Sequence, residues 1–375
     1  MFWLAGHRRK MTDRAISPPF SPHRPASGRG RGARSNVSGR YEKESRETVD
    51  DGWHDTPPDR PKTIVQMEPA RRIITYNDSP YVGFDRSINP YRGCEHGCIY
   101  CFARPSHAYM GLSPGIDFES RLFAKPEAAT LLKKELSSKR YQIRPIAIGT
   151  NTDPYQPTER RLLIMREVLK VLSSYNHPVS ILTKSDLILR DLDILGPMAK
   201  KGLVRAMLSI TTQDARLART MEPRCPRPDK RFAALEGLAQ AGIPTGVMHG
   251  PLIPGLSDHE LEALMEKARD KGATFAAYTL IRLPIEVADL FQEWLKAYTP
   301  HRYDRVIGHI KSMNGGRLYD VNWSRGDGPK NPVALLVAQR FAAAYRRLGF
   351  QNFPPLRTDL FCPPKPPRAQ ADLFA

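Results

Sequence analysis

Cysteine is scarce in this chain: five in 375 residues. That excludes a small disulfide-stapled scaffold, which needs many bridges in a short chain. No apolar run approaches the length of a membrane span, and the opening MFWLAGHRRK carries too short an apolar patch, with charges on the wrong side, for a secretory signal. Met11 is an alternative start. Free thiols, and the reducible centre they would hold, give the cytoplasm as the expected compartment. Acidic residues are also in deficit, with 39 Asp and Glu against 57 Lys and Arg, a formal charge of +18. A field of that sign favours polyanions. Residues 1–60 hold 12 of the cations and 8 of the acids, so most of the excess lies beyond them.

The few cysteines are not scattered. Cys94, Cys98 and Cys101 fall inside eight residues, spaced C-x3-C-x2-C, with Tyr100 before the third. Three thiolates held that close suit one polynuclear iron–sulfur centre, and three ligands on a four-iron cubane leave one iron open. The alternative is a zinc site that takes His96 as fourth ligand. No second cysteine pair stands at finger spacing nearby.

Residues 1–60 are rich in Pro, Ser, Gly and Arg and poor in branched apolar residues. They read as a disordered basic tail whose GRGRGAR run touches nucleic-acid phosphates or is a solvated linker. From Ile64 onwards, strand and helix patterns alternate. Strands are expected at 87–91, 145–149, 179–183, 204–210, 244–249 and 274–281, with an added strand-like run at 72–76. Helices are expected at 105–110, 126–138, 159–174, 187–200, 229–241, 258–271 and 285–297, and residues 115–125 read as irregular and extended. Six strand–helix units predict an α/β fold, an incomplete (β/α)6 TIM-like barrel over residues 61–300. Helices at 303–313 and 332–348 make a C-terminal extension over 301–355, and residues 356–375 make a flexible proline-rich tail.

Barrels of this kind put ligands at the C-terminal ends of their strands. There stand the cysteine loop, Gly149–Pro157, Lys184, Ser209–Gln213, Gly250–Gly255 and Arg282. Cys225 and Cys362 are single thiols, read as spectators ahead of hydrogen donors or metal ligands. Glu222, Arg224, Arg227, Lys230 and Arg231 form a charged run, read as a phosphate contact or a solvated loop. His249 and Tyr278 read as core.

The cysteine spacing with its aromatic resembles the radical S-adenosylmethionine (radical SAM) superfamily. The stretches TNTDPYQPTE, LTKS and LSITTQD, with the EPR-P-P-KR run, resemble its spore photoproduct lyase-related class over residues 60–360. The resemblance implies a [4Fe–4S] cluster on Cys94, Cys98 and Cys101, with SAM chelating the open iron. It implies SAM contacts at Thr152, Asp153, Lys184 and Ser209, with Lys184 on the SAM carboxylate and Tyr100 and Phe102 as an apolar wall for adenine. It also implies hydrogen abstraction from a substrate, expected to be nucleic acid, with a flavodoxin or ferredoxin as electron donor. A peptide or small-molecule substrate, or a non-enzymatic iron–sulfur or zinc nucleic-acid-binding protein, are the rival readings. Two positions depart from the class: Asn151 stands where it has a hydrogen-donating cysteine, and Phe102 where it has a tyrosine. No catalytic residue is assigned from sequence. Gln370, Leu373 and Phe374 at the C-terminus resemble the short bacterial motif that docks in the sliding clamp.

Overall fold

The computed structural model describes residues 30–42, 61–78, 82–320 and 331–364. Ten strands occur among them. They are β1 (Ile64–Met67), β2 (Ile74–Tyr76), β3 (Arg86–Ile88), β4 (Tyr91–Arg92) and β5 (Arg121–Ala124), then β6 (Ile146–Ile148), β7 (Val179–Thr183), β8 (Val204–Ser209), β9 (Thr245–Leu252) and β10 (Phe275–Leu280). Seven form one sheet in the order β10-β9-β8-β7-β6-β3-β2. Its first six members pair in parallel, and β2 closes the edge antiparallel to β3. A smaller sheet, β1-β5-β4, stands beside the cysteine loop.

The sequential order follows from the strand–helix alternation, since each helix returns the chain to start the next parallel strand. β7 and β8 alternate buried with half-buried residues. Val179, Ile181, Val204, Ala206 and Leu208 are sealed on one face, and the helices Leu192–Lys200 and Pro228–Gln240 pack alongside β8. The half-buried positions belong to the other face, which is only partly covered.

Several elements depart from the pattern reading. The 115–125 stretch is a short helix, Ile116–Ser120, followed by β5. The 159–174 helix is two, Glu159–Leu162 and Ile164–Ser174, broken at Leu163 with φ 57°. The 187–200 helix begins as a 3-10 turn at Asp186–Asp191, where the Ser185 hydroxyl accepts from the Leu187 amide. The 105–110 helix is two 3-10 turns. An additional helix, Ala215–Met221, is capped by the Asp214 carboxylate, which accepts from the Arg216 and Leu217 amides.

Both expected tails hold packed segments. Residues 30–42 are docked, with Ala33 fully buried and Arg31 nearly so. The Arg31 guanidinium donates to the carbonyls of Glu119 and Pro61, both at 2.6 Å, so its charge is spent inside the protein. Residues 356–364 run across the N-terminal ends of the strands. The Arg357 amide donates to Gly202 O and the Cys362 amide to Tyr175 O, both at 3.0 Å, and Phe361 packs against Tyr141 and His177. Gln370, Leu373 and Phe374 lie outside the described residues. Among those described, no helix is long and apolar enough to cross a membrane.

Candidate active site

The cysteine loop follows β4 and is held by backbone shape and by one buried cation. Gly93 and Gly97 both adopt positive φ, and a Cβ on Gly97 would come within 2.6 Å of Glu119 Oε2. Arg104 is fully buried and donates to the carbonyls of Cys98 (3.0 Å), Gly97 (3.1 Å), Pro114 (3.0 Å) and Gly115 (2.9 Å). It is also ion-paired with Glu119. Glu119 in turn accepts from the Gly32 and Ala33 amides at 2.9 and 2.8 Å. Gln156 ties the loop to the end of β6, accepting from the Glu95 amide at 2.8 Å and donating to Gly93 O at 3.3 Å.

All five cysteines are free. Burial, then Cys98 and Cys94, push the Cys101 thiol up to about 12. Contact with Cys225, 3.9 Å away, lowers Cys98 to about 7, and Lys184 and His96 help. Cys94 and Cys98 thus stand close enough to Cys101 to act on its charge, and three thiols gathered in one loop fit a shared cationic centre. The ring that the zinc alternative calls on, His96, is buried 3.3 Å from Asp153.

Across from the loop stand the ends of β6 to β9. Asp153 accepts from Thr183 Oγ1 (2.6 Å), the Lys184 amide (2.7 Å) and the Tyr155 amide (2.9 Å). Burial opposes its charge, yet His96, Thr183 and the Lys184 amide hold it down to about 2. Asp153 therefore fixes the backbone from which Lys184 projects. Lys184 Nζ donates to Ser209 Oγ at 2.7 Å and lies 4.0 Å from Glu222 and 5.8 Å from the Tyr100 ring centroid. Ser209 Oγ donates to Gly250 O at 3.0 Å. Thr152 is buried beside Tyr91 O at 3.4 Å. Lys184, Ser209 and Tyr100 thus converge, and Asp153 backs them. Phe102 is 60% exposed.

Two positions of the charged run after β8 are neither solvated nor free to meet a phosphate. Glu222 and Arg231 are buried and ion-paired with each other. Glu222 also receives the Tyr100 hydroxyl, and Thr211 Oγ1 at 2.8 Å. Burial works against its charge, and Arg231 and Lys184 outweigh it, holding Glu222 at about 2. Arg224 is tied to Glu95 at 3.1 Å, while Arg227 stays exposed beside Asp229. In the sequence Thr211 stands only within the strand end Ser209–Gln213, and Glu222 and Arg231 only within the charged run; that this acid and base, nine residues apart, pair in the interior is something no periodicity interprets. His249 is core, as expected: its Nε2 meets Thr211 O at 3.1 Å.

The radical SAM superfamily model matches residues 88–268. An uncharacterized protein of Methanocaldococcus jannaschii is 31% identical over 52% of this chain and 70% of its own length. The chain belongs to the radical SAM superfamily. An uncharacterized protein of Mycobacterium tuberculosis is 35% identical over 59% of this chain, which spans 66% of that relative's length. Among solved structures, spore photoproduct lyase complexed with dinucleoside spore photoproduct aligns with a TM-score of 0.52 at 14% identity, over 76% of this chain and 80% of that one. That likeness is one of fold. The superfamily uses a [4Fe–4S] cluster and SAM, and a variant of the same lyase has been solved with AdoMet bound.

Proposed function

We propose that this protein is a radical SAM enzyme acting on nucleic acid, with its sheet curved as an incomplete (β/α)6 barrel. In this reading Cys94, Cys98 and Cys101 hold the cluster, and Lys184 and Ser209 receive SAM. The observation that carries it is the placement of the Lys184 ammonium, presented by Asp153 at the end of β7 toward Tyr100 of the cysteine loop. The bound cluster supplies one electron for reductive cleavage of SAM.

The protein's own part is orientation and exclusion. Lys184 binds the SAM carboxylate as a charge-assisted donor. Glu222 and Ser209 aim it, Arg104 fixes the loop that carries the thiols, and burial of Tyr100, Thr211 and Glu222 keeps water from the inner wall. The net charge of +18 supports a polyanionic substrate. Asn151 and Phe102 do not readily relay a hydrogen atom as a thiol or a phenol does, so the reaction of the lyase is not carried over. A flavodoxin or ferredoxin is the proposed electron donor, and Gln370, Leu373 and Phe374 a proposed clamp-docking motif, testable with a C-terminal peptide and its Leu373→Ala/Phe374→Ala variant.

Anaerobic reconstitution tests the main reading. The wild-type protein with dithionite and SAM is expected to release 5′-deoxyadenosine, and Cys98→Ala to lose cluster absorbance and bound iron. Lys184→Met should keep its iron and lose SAM binding. Unchanged iron in Cys98→Ala, or unchanged SAM affinity in Lys184→Met, overturns the assignment. DNA or RNA affinity should fall steeply with salt; a flat response sinks the nucleic-acid part.

A further inference from the structure

The partly covered face of the large sheet bounds a cavity of about 910 Å³. Its volume lies within the roughly 300–1,000 Å³ of sites that enclose organic ligands. Met207, Met248, Phe275 and Phe353 give it apolar and aromatic walls. The cavity adjoins the site described above, because Met248 is the register partner of Ser209. Side chains two apart on a strand share a face, so Arg205, Met207 and Ser209 line up along β8. At about 3.3 Å per residue, Arg205 stands roughly 13 Å from Ser209, toward the opposite pole.

Arg205 is unusual there. It is half-buried, its Nε donates to Ser180 Oγ at 3.2 Å, and its guanidinium lies 5.2 Å from the centre of the Phe353 ring. Among the described residues it has no carboxylate partner, and its remaining four N–H donors have no acceptor. Burial alone lowers its pKa, with no acid to offset the cost. The acids on the lining do not serve it: Asp85 is taken by Arg86 and Arg144, and Asp78 sits exposed at the rim. A guanidinium kept half-buried beside a cavity, with an unfilled fork of donors, is built to meet two oxygens of an oxyanion, a carboxylate or a phosphate.

We propose that this cavity is the substrate chamber and that Arg205 holds a phosphate of the substrate, with a base lying against Met207, Met248 and Phe275. The assignment rests on the radical SAM reading of the Lys184 pole, and it adds the ligand's chemistry and orientation. Phosphate is preferred over carboxylate because the walls suit a flat, apolar base and the protein's charge suits a polyanion.

Calorimetry on the full chain tests it, with thymidine 5′-monophosphate, thymidine and indole-3-acetate as probes. Wild type should bind the monophosphate more tightly than thymidine. Arg205→Met should weaken the monophosphate about tenfold or more while thymidine binding stays unchanged, and Arg205→Lys should fall between. Thermal melts that match wild type establish that both variants fold. Equal monophosphate binding by wild type and Arg205→Met, or no preference of wild type for the monophosphate over thymidine, overturns the proposal. Tighter binding of indole-3-acetate overturns the phosphate assignment. Release of 5′-deoxyadenosine without added substrate reports the Lys184 pole separately. If that release is intact and monophosphate discrimination is absent, Arg205 is wrongly assigned and the radical SAM reading stands. If release is absent and discrimination is intact, the radical SAM reading fails and the anion site stands alone.

Discussion

The cysteine loop and the segment at residues 30–42 touch each other, yet they speak very differently in sequence. The loop carries three cysteines in eight residues and is legible at once. The segment is mostly Gly, Arg and Ser, the composition of a tail. In the structure both belong to one hydrogen-bond chain: Gly32 and Ala33 donate to Glu119, Glu119 pairs with Arg104, and Arg104 holds the carbonyls of Gly97 and Cys98. Composition reports whether a stretch can build its own core. It does not report whether the stretch completes someone else's. Residues that dock by backbone amides need no branched apolar side chains.

The comparison breaks most sharply at Arg104. Arg104→Met leaves Glu119 buried without its cation and strips four carbonyls of a donor. Breaking a buried pair from one side costs about 3–5 kcal/mol. The expected outcome is a large loss of stability by urea denaturation, together with loss of bound iron. A variant as stable as wild type with full iron means that Arg104 is not the joint between the two regions.

His107 sharpens it next. This imidazole is buried against Phe118 and meets Arg121 O at 2.9 Å. Burial lowers its pKa to about 4, from 6.5. The neutral form is the one that fits, so the unfolded chain takes up a proton first as pH falls. Stability is full above about pH 6.5 and is lost between 6.5 and 4, by about 3 kcal/mol at most. His177 and His249 are lowered to about 4 in the same way, so the three contribute together. His107→Gln should flatten part of the acid loss while the other two continue to titrate. An acid limb with the wild-type slope in that variant removes His107 from the account.

What was legible follows the same division. β7 and the helix Tyr303–Met313 were placed to the residue, because alternation and a helical stripe are written in their own side chains. The helix Ala215–Met221 was missed because it is only seven residues long, two of them arginines, and two of its residues, Ala218 and Met221, are buried. The break at Leu163 was invisible because no glycine marks its positive φ. Of the site, the thiols, Lys184 and Ser209 could be named from spacing and strand ends. Glu222 and Arg231 could not, since each is tolerable in the interior only through the other, and that pairing exists only after folding.

A smaller effect is expected at Gly32. A Cβ there would stand 1.8 Å from Gly97 O, so the two backbones cannot both keep their places. Gly32→Ala should lift residues 30–42 from the loop at about 1–3 kcal/mol. The prediction is faster loss of iron under chelator challenge, with the far-ultraviolet spectrum unchanged. Iron loss at the wild-type rate would make the segment a passenger.

The smallest effect lies at the segment's far contact. The Ser35 hydroxyl donates to Glu293 Oε2 at 2.8 Å, tying the segment to the helix Glu286–Tyr298. This hydrogen bond is remote from the thiols and joins no carbonyl of the loop. Burial raises the Glu293 pKa, and the Ser35 bond works against that rise. Ser35→Ala removes one partly buried bond to a carboxylate, worth about 1 kcal/mol or somewhat more. Its loss should appear in the melting temperature and leave iron retention under chelator untouched, because Gly32 and Ala33 still hold Glu119. If Ser35→Ala releases iron as fast as Gly32→Ala, the segment acts as one rigid strap whose every anchor matters. If only Gly32→Ala does so, the brace is local, and the amides of Gly32 and Ala33 are the part of residues 30–42 on which the cysteine loop depends.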